Sequence, residues 1–128
     1  MAIKVVRLGT PRASNEGPRL GTVRRPPRGV PKSQFAKGDF YDVWLPNLSP
    51  SQELVSMAMH SQSKNWWNTF ERKFRAEMNK PDASRVLDLL AALSRGANFS
   101  LGCYCEDEQH CHRSVLRKLL AERGAEFA

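Results

Sequence analysis

The hydrophobic pattern of this chain changes character about a third of the way along, from short β-branched runs to residues spaced three and four apart. Ile3 to Leu8 is one such run, closed by Gly9-Thr10-Pro11, and Leu20 to Val23 is a shorter one closed by Arg24-Arg25-Pro26-Pro27. Both predict strands. Tyr41 to Leu45 is a third extended segment, ended by Pro46, which cannot donate a ladder bond and biases Leu45 away from helix.

Ser49-Pro50-Ser51-Gln52 predicts a helix start, with Ser49 as cap, Pro50 at the first helical position and Gln52 completing a capping box, and a helix to His60. Trp67, Phe70, Phe74 and Met78 then share one helical face, which reads as core rather than as a base-stacking platform. Asp82 is placed to cap a third helix whose apolar set, Val86, Leu87, Leu89, Leu90 and Leu93, runs up to Gly96. Phe99 to Cys105 reads as a buried strand, with Gly102 allowing close backbone approach. Cys111 to Arg123 is the last helix, with Val115, Leu116, Leu119 and Leu120 inward and Gly124 ending it. This order predicts an α/β domain of two or three layers, a short and mostly parallel sheet covered by about four helices. Strand order stays open.

With 128 residues, 41% of them hydrophobic and 26% charged, the chain fits a single globular domain, an Arg- and Pro-rich part over 1–48 and a helical part over 49–128. No apolar stretch approaches the ~18 residues of a membrane span. The first residues have too short an apolar run for a secretory signal, so a cytoplasmic protein is expected. The net charge of +7 is local: residues 1–37 carry nine Lys and Arg against the single acid Glu16, while the rest carry 11 basic and 12 acidic side chains. A segment this basic suits a phosphate-bearing partner, small molecule or nucleic acid. Three of its arginines, Arg24, Arg25 and Arg28, follow a predicted strand on a segment stiffened by Pro26 and Pro27. Arg12 to Gly17 reads as a mobile loop able to close over a site. A P-loop, a G-x-G-x-x-G and a G-x-S-x-G are all absent from the sequence, which removes support for ATPase, dinucleotide and hydrolase-elbow readings.

The chemistry concentrates in Cys103-Tyr104-Cys105-Glu106-Asp107-Glu108-Gln109-His110-Cys111-His112-Arg113-Ser114, between a core strand and a helix start, where ligands of α/β sheets collect. The three cysteines lie within nine positions and so read as reduced thiols. Cys111 and His112, one turn before Val115 and Leu116, should point toward the sheet, with the helix start lowering the pKa of Cys111. Four readings stay open. In the first, Cys111 or His112 is catalytic, Glu106 or Asp107 orients a reacting group, and Arg113 and Ser114 join Arg25 and Arg28 in holding an anion. In the second, Cys103, Cys105, Cys111 and His112 bind zinc, although a regular strand would keep the first two thiols roughly 6 to 7 Å apart. The third is a redox pair of thiols, which C-x-C in a strand serves badly. The fourth is a structural role, small cysteines in a core and acids in a solvated loop.

Val23 to Gly29, Asp42 to Ser51, Trp67 to Phe74 and Cys103 to Arg113, taken in order, resemble the domain of unknown function 488 family, in particular its short YeaO-like branch. The resemblance runs from about Ile3 to Gly124. Arg25, Arg28 and Gly29 match the branch's Arg and Pro-Arg-Gly positions, and Asp42, Trp44, Pro50 and Ser51 match its later block. Arg24 and Pro26 depart from it, and Cys111-His112-Arg113 looks more like the wider family. The resemblance implies a small cytoplasmic bacterial or archaeal α/β protein and names no reaction. The leading expectation is an enzyme-like protein that binds a phosphate-bearing ligand, nucleotide or nucleic acid, at the strand-end crevice. The alternatives are a nucleic-acid-binding module without chemistry and a protein with a structural zinc site.

Overall fold

In a computed structural model that describes residues 2–128, β1 (Ile3–Arg7), β2 (Arg19–Gly21), β3 (Val43–Trp44) and β4 (Phe99–Cys103) form one parallel sheet in the order β1-β4-β2-β3. The helices are α1 (Gln52–His60), α2 (Trp66–Met78), α3 (Pro81–Leu93) and α4 (His112–Glu122). The expected α/β architecture, a short sheet with four helices, is what the chain adopts.

β4 is buried along its whole length because strands flank it on both edges and both its faces are covered. Phe99 and Leu101 face the helices and share a core with Phe74, Leu87, Leu116 and Leu120. Burying such side chains contributes roughly 1.5–3 kcal/mol each. The opposite face is covered by loops: Ser100 donates to the Glu16 carbonyl at 3.1 Å, and Leu8, Val23 and Tyr41 form a second, smaller apolar cluster. Two layers result, helices on one side and irregular chain on the other.

Several boundaries differ from the sequence reading, each for a physical reason. Helix α1 begins after Ser51, whose hydroxyl accepts from Leu54 N–H at 3.1 Å while its own N–H donates to Glu77 of α2 at 2.9 Å. Ser49 instead donates to the Pro46 carbonyl at 2.7 Å and closes a short 3-10 turn, Pro46–Leu48. In α3 the first helical position is Pro81, with Lys80 before it, and Asp82 sits in the first turn. β3 keeps only two residues, since Tyr41 leaves the strand direction to join the loop-side cluster. Gly102 does make a close approach, but to a side chain: a Cβ there would lie 2.2 Å from Leu8 Cδ2. Gly124 ends α4 with φ of 78°, as a left-handed cap requires.

The segment from Arg12 to Gly17 is pinned rather than mobile. Arg12 donates to Asp42 at 2.7 Å and to Asp39 at 3.2 Å, and Glu16 is buried in an ion pair with Arg19. No helix is long and apolar enough to cross a membrane, among the described residues.

Candidate functional site

The chain leaves β4 toward the helices through α4, whereas the chain leaving β1 and β2 covers the opposite face. Neighbouring strands whose connections part in this way open a crevice at their carboxyl ends. Cys103 ends β4 there, and the register places Arg7 of β1 beside it and Gly21 of β2 beside Gly102.

Beyond Cys103 the ladder stops and the backbone turns. That turn brings Cys105 Sγ to 3.7 Å from Cys103 Sγ, about half the separation a continuing strand would impose. A short 3-10 turn, Glu108–His110, follows, capped by Asp107, which accepts from Gln109 N–H at 3.0 Å and bonds His110 Nδ1 at 2.8 Å. Cys111 is then the extended residue before α4, and His112 opens the helix. Both are buried, on the sheet side as expected.

His112 is fixed from its far nitrogen. Nε2–H donates to the Thr22 carbonyl at 2.6 Å, with the Thr22 hydroxyl at 3.2 Å, so Nδ1 faces Cys111 Sγ at 3.7 Å. The ring rests on Phe74 edge to face. Arg113 is buried as well: Nε donates to Cys111 Sγ at 3.4 Å, Nη1 to the Val6 carbonyl at 2.5 Å and Nη2 to the Cys105 carbonyl at 2.7 Å. Its guanidinium is therefore engaged on the thiol cluster and the strand ends. Hydrogen bonds from Cys103 and Cys105, then from His112, hold Cys111 well below the ordinary cysteine range against the opposing push of burial. Cys103 is raised by its bonds to Cys105 and Cys111 and by burial, and so keeps its proton.

Cys111 and His112 also form one wall of a cleft of about 340 Å³, whose other walls include Trp66, Trp67 and Phe70. Cys105 and His110 stand at its rim. Glu106 is exposed and pairs with Arg7 at 3.5 Å, and Ser114 closes the first turn of α4 by donating to the Cys111 carbonyl at 2.9 Å. The basic turn opens from the same sheet edge, where Tyr104 Oη donates to the Arg25 carbonyl at 3.0 Å. Arg24, Arg25 and Arg28 are exposed and make no ion pair among the described residues. A wider cleft of about 600 Å³ lies on that side, lined by Pro26, Lys32, Phe35 and Trp44.

Metal-ligating atoms converge in the same place. The donor atoms of Cys103, Cys111 and His112 lie within 4.8 Å of one another, so this cluster can hold a metal ion, with the Cys105 thiol alongside. Thr22 is the site residue that sequence reasoning passed over; it lay within the predicted strand Leu20 to Val23, but nothing local announced a carbonyl aimed at His112. Trp66 is the other, and its one signal was a second tryptophan next to Trp67; both are half-buried against the main core and line the cleft.

No curated protein and no solved structure matches the chain. A family model described as the active DUF488-N3 subclade matches residues 3–124, nearly the whole sequence. The resemblance read from the motifs is thus borne out at the level of the family, and the chain belongs to the DUF488 family through its active DUF488-N3 subclade.

Proposed function

We propose that this protein is a thiolate-dependent enzyme of the cytoplasm whose strand-end crevice takes a phosphate-bearing ligand, a nucleotide or nucleic acid. The observation that carries the reading is the setting of Cys111: its sulfur lies between His112 Nδ1 and Arg113 Nε, at the start of α4, on the wall of an open cleft. A thiol in the field of a helix start, beside an imidazole and a guanidinium, is activated as a nucleophile.

The roles then follow from the contacts. Cys111 attacks as the thiolate, its Sγ forming a bond to the ligand as the ligand's bond to its leaving group breaks, and His112, oriented by Thr22, delivers to that group the proton it took from the thiol at Nδ1. Arg113 stabilises the thiolate, because its N–H groups are directed to Cys111 and two carbonyls rather than to the cleft. Recruitment of phosphate falls to Arg24, Arg25 and Arg28, whose charges are unpaired at the same edge, while Ser114 serves the helix start. Asp107 orients His110 at the rim, and Glu106 faces water. The description of the subclade as active is in keeping with chemistry at this site. Iodoacetamide should label Cys111 at least about tenfold faster than Cys103 or Cys105 near neutral pH, as a thiol-pKa gap of one unit or more implies. Inorganic phosphate or a short oligonucleotide should slow it. Equal, sluggish labelling of all three thiols would overturn the reading.

A second reading rests on the convergence of donors. Cys103, Cys111 and His112, with Cys105 as fourth, form a sulfur-rich set suited to zinc, and the Thr22 carbonyl on Nε2 leaves Nδ1 as the ligating atom. Elemental analysis of protein purified without chelator decides it. About one zinc per chain would support the metal centre, and a content near zero would exclude it.

A further inference from the structure

We propose that the cleft bounded by Trp66, Trp67 and His110 is a nucleobase site, so that the ligand brought to Cys111 is a nucleotide unit whose base stacks there. The inference rests on the reading of the crevice as one for a phosphate-bearing ligand and names which part of that ligand the cleft recognises.

Trp66 and Trp67 open α2 and are both half-buried: each packs one side against the main core and lines the cleft with another. Trp67 stacks on Phe70, with centroids 5.2 Å apart and planes 15° from parallel. Trp66 stands 5.6 Å from Trp67 and at 78° to it. The His110 ring completes the enclosure at 5.8 Å from Trp66 and 5.5 Å from Trp67, held by Asp107 on Nδ1. Two indoles and an imidazole thus set ring surfaces at steep angles around one space, beside the Cys111–His112 wall. Its volume of about 340 Å³ is at the small end of ligand clefts, the scale of a single planar heterocycle with part of a sugar.

An aromatic enclosure can also take a quaternary ammonium group through cation–π attraction. Charge decides between the two. The acid at the rim, Asp107, is already engaged by His110, and the unpaired Arg24, Arg25 and Arg28 follow β2 at the carboxyl end of the same sheet, so the charge free at this end favours an anion with a planar head over a cation. A base stacks on aromatic faces with little dependence on its identity, and its phosphate remains outside the apolar cleft, toward the arginines.

Calorimetric titration of the full chain with adenosine 5′-monophosphate, ribose 5-phosphate and choline tests this. The monophosphate should bind at least about tenfold tighter than ribose 5-phosphate, the factor that stacking of one base supplies. Trp66→Leu should erase that gain and leave ribose 5-phosphate binding unchanged. His110→Ala, at an exposed position, should reduce it in the same way. A short single-stranded oligoadenylate tells the sources apart: binding tighter than the monophosphate, and lost in Trp66→Leu, assigns the base to a nucleic acid, and weaker binding assigns it to a free nucleotide. Equal affinity for the monophosphate and ribose 5-phosphate, or tighter binding of choline, would overturn the base site. Fast, phosphate-protected labelling of Cys111 without any gain from the base would overturn the base site alone, whereas a base gain with an ordinary Cys111 would overturn the thiolate reading alone.

Discussion

Arg19→Leu should cost about 3–5 kcal/mol of folding stability, the penalty for leaving a buried charge without its partner. Arg19 and Glu16 are almost wholly buried as an ion pair on the loop-covered face of the sheet. Arg19 also donates to the carbonyls of Thr10 at 2.8 Å, Asp39 at 2.6 Å and Pro11 at 3.3 Å, so one guanidinium ties two separate stretches of loop to β2. Glu16 in turn accepts from Ala13 N–H at 3.0 Å. Burial pushes the Glu16 carboxyl up, but the bonds from Arg19 and Ala13 override it and hold the group below its ordinary 4.5. A carboxylate depressed in the folded state stabilises above its unfolded pKa and loses that contribution as pH falls through the folded value. Urea unfolding of the wild type should therefore show a midpoint that drops below about pH 4.5, and Arg19→Leu should flatten this acid limb. The double variant Arg19→Leu with Glu16→Leu should recover much of the loss, since it removes both charges together.

Arg113→Met should have the second large effect, on stability and on the thiol at once. It removes the guanidinium's bonds to the Val6 and Cys105 carbonyls at the strand ends, and hydrogen bonds made by a charged group contribute about 1.5–3 kcal/mol each. It also takes a positive charge from 3.4 Å beside Cys111, which should raise that thiol toward the ordinary range. Arg113→Lys tests the geometry separately. An ammonium can satisfy one of the three directions but not the planar fork, so the thiol should shift less while most of the stability loss remains. Urea midpoints together with the pH dependence of thiolate absorbance read both quantities.

The sequence was informative wherever a signal was local. Gly124 marks the end of α4 because a left-handed residue is needed there, and Val115, Leu116, Leu119 and Leu120 mark its buried face, so the inward direction of Cys111 and His112 follows from helical spacing alone. The mostly parallel sheet was read from the order of strands, three helices and a last strand, although only β3 and β4 have α-helices between them. What escaped was set by partners distant in sequence. Helix α1 starts at Ser51 because Glu77 of another helix holds that residue's N–H and hydroxyl. The cysteines of C-x-C meet because β4 stops at Cys103, where β1 also ends at Arg7, and no rule of strand spacing shows where a neighbour ends.

Charge gave the most instructive case. A lone Glu16 within a basic segment read as a mobile loop, whereas its partner was three residues away and the pair is a buried post. With Arg19 and Arg12 neutralised by Glu16, Asp39 and Asp42, and Arg7 paired with Glu106, the cations of the first 37 residues without an ion pair among the described residues are Arg24, Arg25 and Arg28 on one turn and the lysines Lys4, Lys32 and Lys37. That turn and the thiol cluster share one edge because β2 lies beside β4, a neighbour relation that strand order alone decides. Thr22, just before the arginine turn, and Gly102, just before the thiols, stand 80 positions apart in the chain, and that adjacency lets the Thr22 hydroxyl donate to the Gly102 carbonyl at 2.9 Å.

The claim that most of this depends on is that Cys111 is ionised near neutral pH. Far-ultraviolet difference absorbance between the wild type and Cys111→Ser, titrated across pH in metal-free protein, reads the thiolate without requiring a reagent to reach it. The account predicts a difference already present at pH 6 and level through pH 8, well below the ~8.5 midpoint of a free cysteine. A difference that appears only with a midpoint near or above ~8.5 would contradict it.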